Sequence, residues 1–416
     1  MKLKNIIEKR KDELFSILSS LIKIDSQSNG KDGKEKEIAF YIADYFENMG
    51  FKADVYSPLD IPGMKEHPDY WKHHNLEERY NVSVLIPGKD HSRRLMLAAH
   101  SDTVEVGNMG NWSVNPFGGE IKDGKICGRG ACDDKYGIAT VMFLVKIFRD
   151  ENIEFPVDLV FTAYCNEEYG GSHGALAACL KYPCDEIINL DCKNFEIWTC
   201  AIGGGEMKLH IKSKTPVDDC EIMHQGLGMV IEEFREFRKR RETELLAEEE
   251  YKHSSFVNEC VKFLEIRAGN QGADLDRAHV EVCYYATSSE DVINREFEKM
   301  TESLNKKLDS INLEVDRIEK TTRFFHFEKT AKENPMIDSL IRAAKKSTGR
   351  ILPPIGACQS DLSMFLHYGS KKAISFGIGR PFGVYGGAHQ SDEYIECDAL
   401  LEFSEILGQL LAEEIK

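Results

Sequence analysis

The chain has 416 residues, 42% of them hydrophobic and 30% charged, with a formal net charge of −17. That length allows two or more domains with sizeable cores. The acidic balance argues against nucleic acid, which needs basic patches, and the apolar runs are too short to span a bilayer. The first stretch, MKLKNIIEKRKDELFSILSSLIKI, reads as an amphipathic helix with Ile7, Leu14, Leu18, Leu21 and Ile22 on one side. Its interleaved charges are unlike a signal peptide, and the twelve cysteines include no CxxC pair. Both features point to reduced thiols in a cytoplasmic protein that stays off membranes.

Up to about Lys193, short apolar strands alternate with helices. The strands are FKADVY, NVSVLI, RLMLAA, VDLVFTAYC and EIINL, and KYGIATVMFLVKIFRD is a helix between two of them. This alternation predicts an α/β architecture with a mixed, largely parallel sheet flanked by helices. GGEIKDGKICGRG is a hairpin with Asp123-Gly124 at its turn. From EMKLHIKSK to INLEVDRIE the order becomes βαββαβ, that of a ferredoxin-like unit, inserted over residues 199–321. The run EEFREFRKRRETELLAEEEYK inside it mixes both charges and reads as a solvated helix face. The α/β pattern then returns with NPMIDSLIRAAKKSTG, CQSD, KAISFGIG and DALLEFSEILGQLLAEEI. The first domain is therefore discontinuous, made of residues 1–198 and 322–416.

Histidine and acidic residues collect where those strands end. His100 follows LMLAA, Glu167 and Glu168 follow VDLVFTAY, Asp191 ends EIINLD, and His389 lies beyond KAISFGIG. Asp133 sits where the hairpin leads into a helix. Open α/β sheets place ligand sites at the carboxyl ends of their strands, so these loops are expected to share one crevice. Two imidazoles and several carboxylates, without an obligatory thiol, suit zinc first, with manganese or cobalt next. One carboxylate able to bridge suffices for a metal pair. If the strand ending at His100 continues, Asp102 shares its face and orients its ring. Of Glu167 and Glu168, one coordinates and the other moves a proton.

HSDTV, GRGACDDKYG, NEEYGG, INLD and GGAHQSDEY, in that order, resemble the signature segments of one family. It is that of the dinuclear zinc exopeptidases and amidohydrolases of metallopeptidase clan MH, such as acetylornithine deacetylase, succinyl-diaminopimelate desuccinylase, aminoacylase and carboxypeptidase G. The resemblance implies a zinc-exopeptidase-like catalytic domain and an inserted lid domain that dimerises in many members. It implies that Asp133 bridges two metals, with His100 and Asp191 on one and Glu168 and His389 on the other. It also implies that Asp102 holds His100 and that Glu167 is the general base. The substrate would be an N-acyl amino acid or a short peptide. A dipeptidase or aminopeptidase of this fold, and an inactive binding or scaffold relative, are the alternatives.

Gly377 and Gly379 in FGIGR correspond to family segments near the substrate carboxylate, and their N–H groups are expected to approach an anion; Asp361 in CQSD would orient that loop. Members often carry a lid histidine and a carboxylate-gripping arginine. Here His224 is the nearest histidine, and HVEVCYYATSSED holds no arginine, leaving Arg277, Arg323 or Arg380. Asp134 is expected to start a helix, His173 to be structural, and the histidines of WKHHN and KEHPDY to lie on the surface.

Overall fold

In the computed structural model, residues 2–252, 254–270 and 273–414 are described. The chain divides into two compact units, residues 1–199 with 329–355 and 364–416, and residues 200–328 with 356–363.

The first unit is built on a mixed sheet. Its order runs Ala53–Tyr56, Asn81–Ile86, Val157–Tyr164, Asp90–His100, Glu186–Asn189, Ala373–Phe376, Ile197–Ala201. The central strand Asp90–His100 lies parallel to Val157–Tyr164 on one side and to Glu186–Asn189 on the other. Ala373–Phe376 continues the parallel part, and the outer pairs are antiparallel. Leu95 to Ala99 and the whole of Val157–Tyr164 are buried, as expected of strands covered on both faces. The fold class expected from the sequence is the one observed.

The amino-terminal helix is two helices, Lys2–Lys9 and Lys11–Ile22. They break at Arg10, whose guanidinium turns to Glu13 and Asp150. The apolar stripe survives the break, because Ile7, Leu14, Leu18, Leu21 and Ile22 are all fully buried. Helix Lys11–Ile22 packs on helix Lys135–Asp150. The buried Lys135 ammonium joins them, donating to the carbonyls of Leu21 (3.1 Å) and Ile24 (2.8 Å). Asp123 and Gly124 both have positive φ (51° and 73°), the turn a two-residue hairpin requires. That hairpin, Glu120–Lys122 with Lys125–Cys127, gains a third strand from Tyr394–Glu396.

The second unit has the βαββαβ order: Gly203–Ser213, helix Glu221–Leu246, Val261–Asn270, Ala273–Ala286, helix Glu290–Leu308, Leu313–Lys320. Its antiparallel sheet is ordered Val261–Asn270, Ala273–Ala286, Gly203–Ser213, Leu313–Lys320. Met207, Leu209 and Ile211 alternate inward against Phe234, Phe237, Phe297 and Leu304 of the helices. The unit extends past residue 321 because pairing continues there. Phe325 and Gly204 exchange backbone hydrogen bonds at 2.7 and 3.1 Å. The Tyr251 hydroxyl draws in segment 356–363 by donating to the Ala357 carbonyl (2.8 Å). All twelve cysteines are free, and no helix among the described residues is long and apolar enough to cross a membrane.

Candidate metal centre

His100 is the last residue of its strand and is fully buried. Its Nδ1–H donates to the backbone carbonyl of Asp102 at 2.9 Å, which leaves Nε2 to face the site. Nε2 lies 3.0 Å from Oδ1 of Asp133. The other oxygen of Asp133, Oδ2, lies 3.3 Å from Nε2 of His389. One carboxylate therefore spans two imidazoles. Glu168 completes the group: Oε2 is 2.7 Å from His389 Nε2, and Oε1 accepts from the Val104 N–H at 3.0 Å.

Local sequence explains this convergence. A Cβ on Gly137 would stand 2.9–3.1 Å from Leu190, Asp134 and Ala99, so glycine lets helix Lys135–Asp150 begin against the strand ends. That places Asp133 beside His100. Asp134 is buried at the helix start without capping it through its side chain. His389 has a left-handed backbone (φ 62°) in a glycine-rich loop, and its ring lies edge-on to Phe382.

The charges reinforce one another. Burial would lower the His100 pKa, but Asp133 and the nearby Glu167 and Glu168 push it well above the ordinary value. His389 is raised well above its ordinary value in the same way, by Glu168 and Asp133 against burial. Burial opposes ionisation of Asp133, yet its bonds from both histidines hold it well below the usual carboxylate range.

Asp102 acts differently from the expected carboxylate-to-ring contact. Its carboxylate is 3.8 Å from His100 Nδ1. Its oxygens instead accept from the backbone N–H of Glu167 (3.0 and 3.1 Å) and of Glu168 (3.2 Å). The strand ends at His100, and Thr103–Val104 pairs elsewhere, with Gln27–Ser28. The period-two relation between residues 100 and 102 is therefore lost, and the main-chain carbonyl takes the ring.

Asp191 follows strand Glu186–Asn189, and the Tyr136 hydroxyl grips its flanks through the Leu190 (2.5 Å) and Cys192 (2.9 Å) carbonyls. The donor atoms of His100, Asp133 and Glu168 lie within 4.8 Å of one another. Asp191 is outside that trio, and its charge acts on the neighbouring Asp134. The trio offers imidazole nitrogen and carboxylate oxygen from buried and half-buried side chains, a combination that fits zinc-, manganese- or cobalt-type ions.

A sequence model of Peptidase family M20/M25/M40 matches residues 96–413. The chain belongs to this family. Among curated proteins, it is 30% identical over 194 residues to an N-formyl-4-amino-5-aminomethyl-2-methylpyrimidine deformylase of Bacillus subtilis. That alignment covers 46% of this chain and 41% of the relative. It is 32% identical over 180 residues to an uncharacterised metallohydrolase of Methanocaldococcus jannaschii, covering 41% and 39%. The chain thus spans less than half the length of these curated relatives. In fold, it is similar to a tripeptidase from Staphylococcus aureus, with TM-score 0.70 and 17% identity over 97% and 98% of the two chains.

The remaining candidates of the M20 chain fall in several places. A Cβ on Gly377 would lie 2.1 Å from the Tyr136 hydroxyl and 2.3 Å from the Leu190 carbonyl, so this glycine allows close packing behind Asp191. The Gly379 N–H donates to the Cys192 carbonyl (2.8 Å) rather than facing an anion. Asp361 is buried in the second unit, 3.7 Å from the guanidinium of Arg323. His224 is exposed on helix Glu221–Leu246. Arg277 pairs with Asp316, and Arg380 with Glu396 and its own loop's carbonyls.

Sequence reasoning missed a network beneath the Glu167–Glu168 loop. The Trp71 N–H donates to His173 Nε2 (3.1 Å), and His173 Nδ1–H to Asn166 Oδ1 (2.6 Å). The Asn166 amide donates to His74 Nδ1 (3.0 Å). His74 of WKHHN is thus buried, not on the surface. Burial pushes its pKa down to about 4 from 6.5. The unfolded chain then takes up this proton first, so stability is highest above pH 6.5 and falls as pH drops toward 4. The loss amounts to as much as about 3 kcal/mol. His74→Gln is expected to shrink the stability difference between pH 7 and pH 4.5 in urea unfolding. An unchanged difference would contradict the assignment.

Proposed function

We propose that this M20 chain is a metal-dependent amidohydrolase that cleaves an amide bond in an N-acyl amino acid or a short peptide. The observation carrying it is the Asp133 carboxylate, with one oxygen on His100 (3.0 Å) and the other on His389 (3.3 Å). His100 and Asp191 would hold one divalent ion, Glu168 and His389 the other, and Asp133 both, with zinc the best match. Bound there, such ions supply charge that acidifies water and polarises a carbonyl.

The chain's own groups do the rest. Glu167 takes a proton from the attacking water and passes it to the departing nitrogen. Its backbone is fixed by Asp102, so the side chain swings from an anchored point. The names of the relatives support the bond class, because deformylation and tripeptide hydrolysis both break an amide. Free thiols agree with a cytoplasmic setting, and dimerisation through the inserted unit is the partner reading.

The test is hydrolysis of N-formyl, N-acetyl and N-succinyl amino acids against di- and tripeptides, with added zinc, manganese or cobalt. Turnover in any of these classes is the expected result. No turnover in any class with any metal would favour the scaffold alternative. Beside His389 the loop exposes Phe382, Val384 and Tyr385, which favours substrates with an apolar group. Phe382→Ala is expected to raise KM about tenfold for such substrates, the scale of one lost apolar contact. An equal rise for a glycine-type substrate would remove Phe382 from specificity.

A further inference from the structure

We propose that the buried Arg129–Glu393 pair is a clamp that fixes the His389 loop against the Asp133 loop. Its function would be to hold the second ion of the pair. The proposal rests on the reading of Asp133 and His389 as ligands.

Glu393 is fully buried and lies four residues beyond His389. Its Oε2 accepts from Arg129 Nη1 at 2.6 Å. Its Oε1 accepts from the N–H of Cys132, the residue before Asp133, at 2.9 Å. Its main-chain carbonyl accepts from the Gly128 N–H at 2.8 Å. The next residue, Tyr394, pairs with Cys127 in the small sheet. Arg129 is 2% exposed, donates from Nη2 to the Glu105 carbonyl (3.3 Å) and lies over the Trp112 ring. Segments 127–132 and 389–394 are thus joined by a strand pair and by both oxygens of one carboxylate.

The ligands on the two sides of the centre depend on this joint unequally. His100 comes from the end of a central strand and is fully buried, so its position does not depend on the clamp. His389 has a left-handed backbone and a side chain 34% exposed. Its side-chain neighbours are the ligand carboxylates and the exposed Phe382. Charge-assisted bonds to a buried carboxylate have strict geometry, so they set loop separation more tightly than apolar packing would.

The experiment is calorimetric titration of chelator-stripped protein with zinc, paralleled by cobalt absorption spectra. Wild-type protein is expected to take up about two ions. Glu393→Gln should weaken one site about 10- to 100-fold, the range for an outer partner of a ligand, and leave the other within about threefold. Arg129→Met/Glu393→Gln guards against misfolding of the single variant, because it removes both charges and leaves neither buried alone. It should melt near the wild type yet still bind the second ion about 10- to 100-fold more weakly, with the corresponding cobalt bands appearing only at higher metal concentration. A stable double variant that binds both ions as tightly as wild type would overturn the clamp alone. Wild-type protein taking up fewer than two ions would overturn the ligand reading, and the clamp with it.

Discussion

Glu167→Gln is expected to lower kcat by roughly 10²- to 10⁴-fold while leaving fold and metal content intact. The amide matches the carboxylate in shape but accepts no proton. Glu167 stays anchored in the variant, since its main-chain N–H still donates to the Asp102 carboxylate at 3.0–3.1 Å. The substitution leaves in place the five side chains proposed to hold metal, so metal content is expected to stay at the wild-type level. Steady-state kinetics and elemental analysis on one preparation separate the two effects. Near wild-type turnover would remove Glu167 as the proton carrier. Loss of metal together with activity would make it a ligand instead.

The second large effect concerns Asp133, whose two carboxylate oxygens each lie against a different imidazole, 3.0 Å from His100 and 3.3 Å from His389. Asp133→Ala should reduce bound metal from about two ions to well below one, with activity falling below about one hundredth of wild type. His389→Ala should keep about one ion, held on the His100 side. Removing metal with a chelator should silence the wild type, and zinc, manganese or cobalt should restore it. Equal metal content in Asp133→Ala and His389→Ala would show that Asp133 does not bridge.

Much of the fold was readable because its signals are local. The buried strands announce themselves as apolar runs, and the inserted unit as alternation followed by helical spacing in Ile293, Phe297, Met300, Leu304 and Leu308. The candidate site residues stood out as polar groups set at the ends of apolar strands, and the structure brings His100, Asp133, Glu168 and His389 of them together. The unit's end was not, since pairing of Phe325 with Gly204 depends on a strand more than a hundred residues earlier. His74 misled because a polar run such as WKHHN usually lies on the surface, whereas Asn166 and His173 bury it here.

The order of elements, the βαββαβ insertion and the residue types at the strand ends are all written in the linear chain. Periodicity and burial act over a few residues, so they survive in the linear text. The folded molecule settles how those groups meet. It turned the Asp102 carboxylate from the imidazole to the Glu167–Glu168 backbone, and it joined Arg129 to Glu393 across 264 positions. Such bonds depend on where a strand stops and which loops it brings together. A turn of one residue redirects a carboxylate, and no local pattern records that.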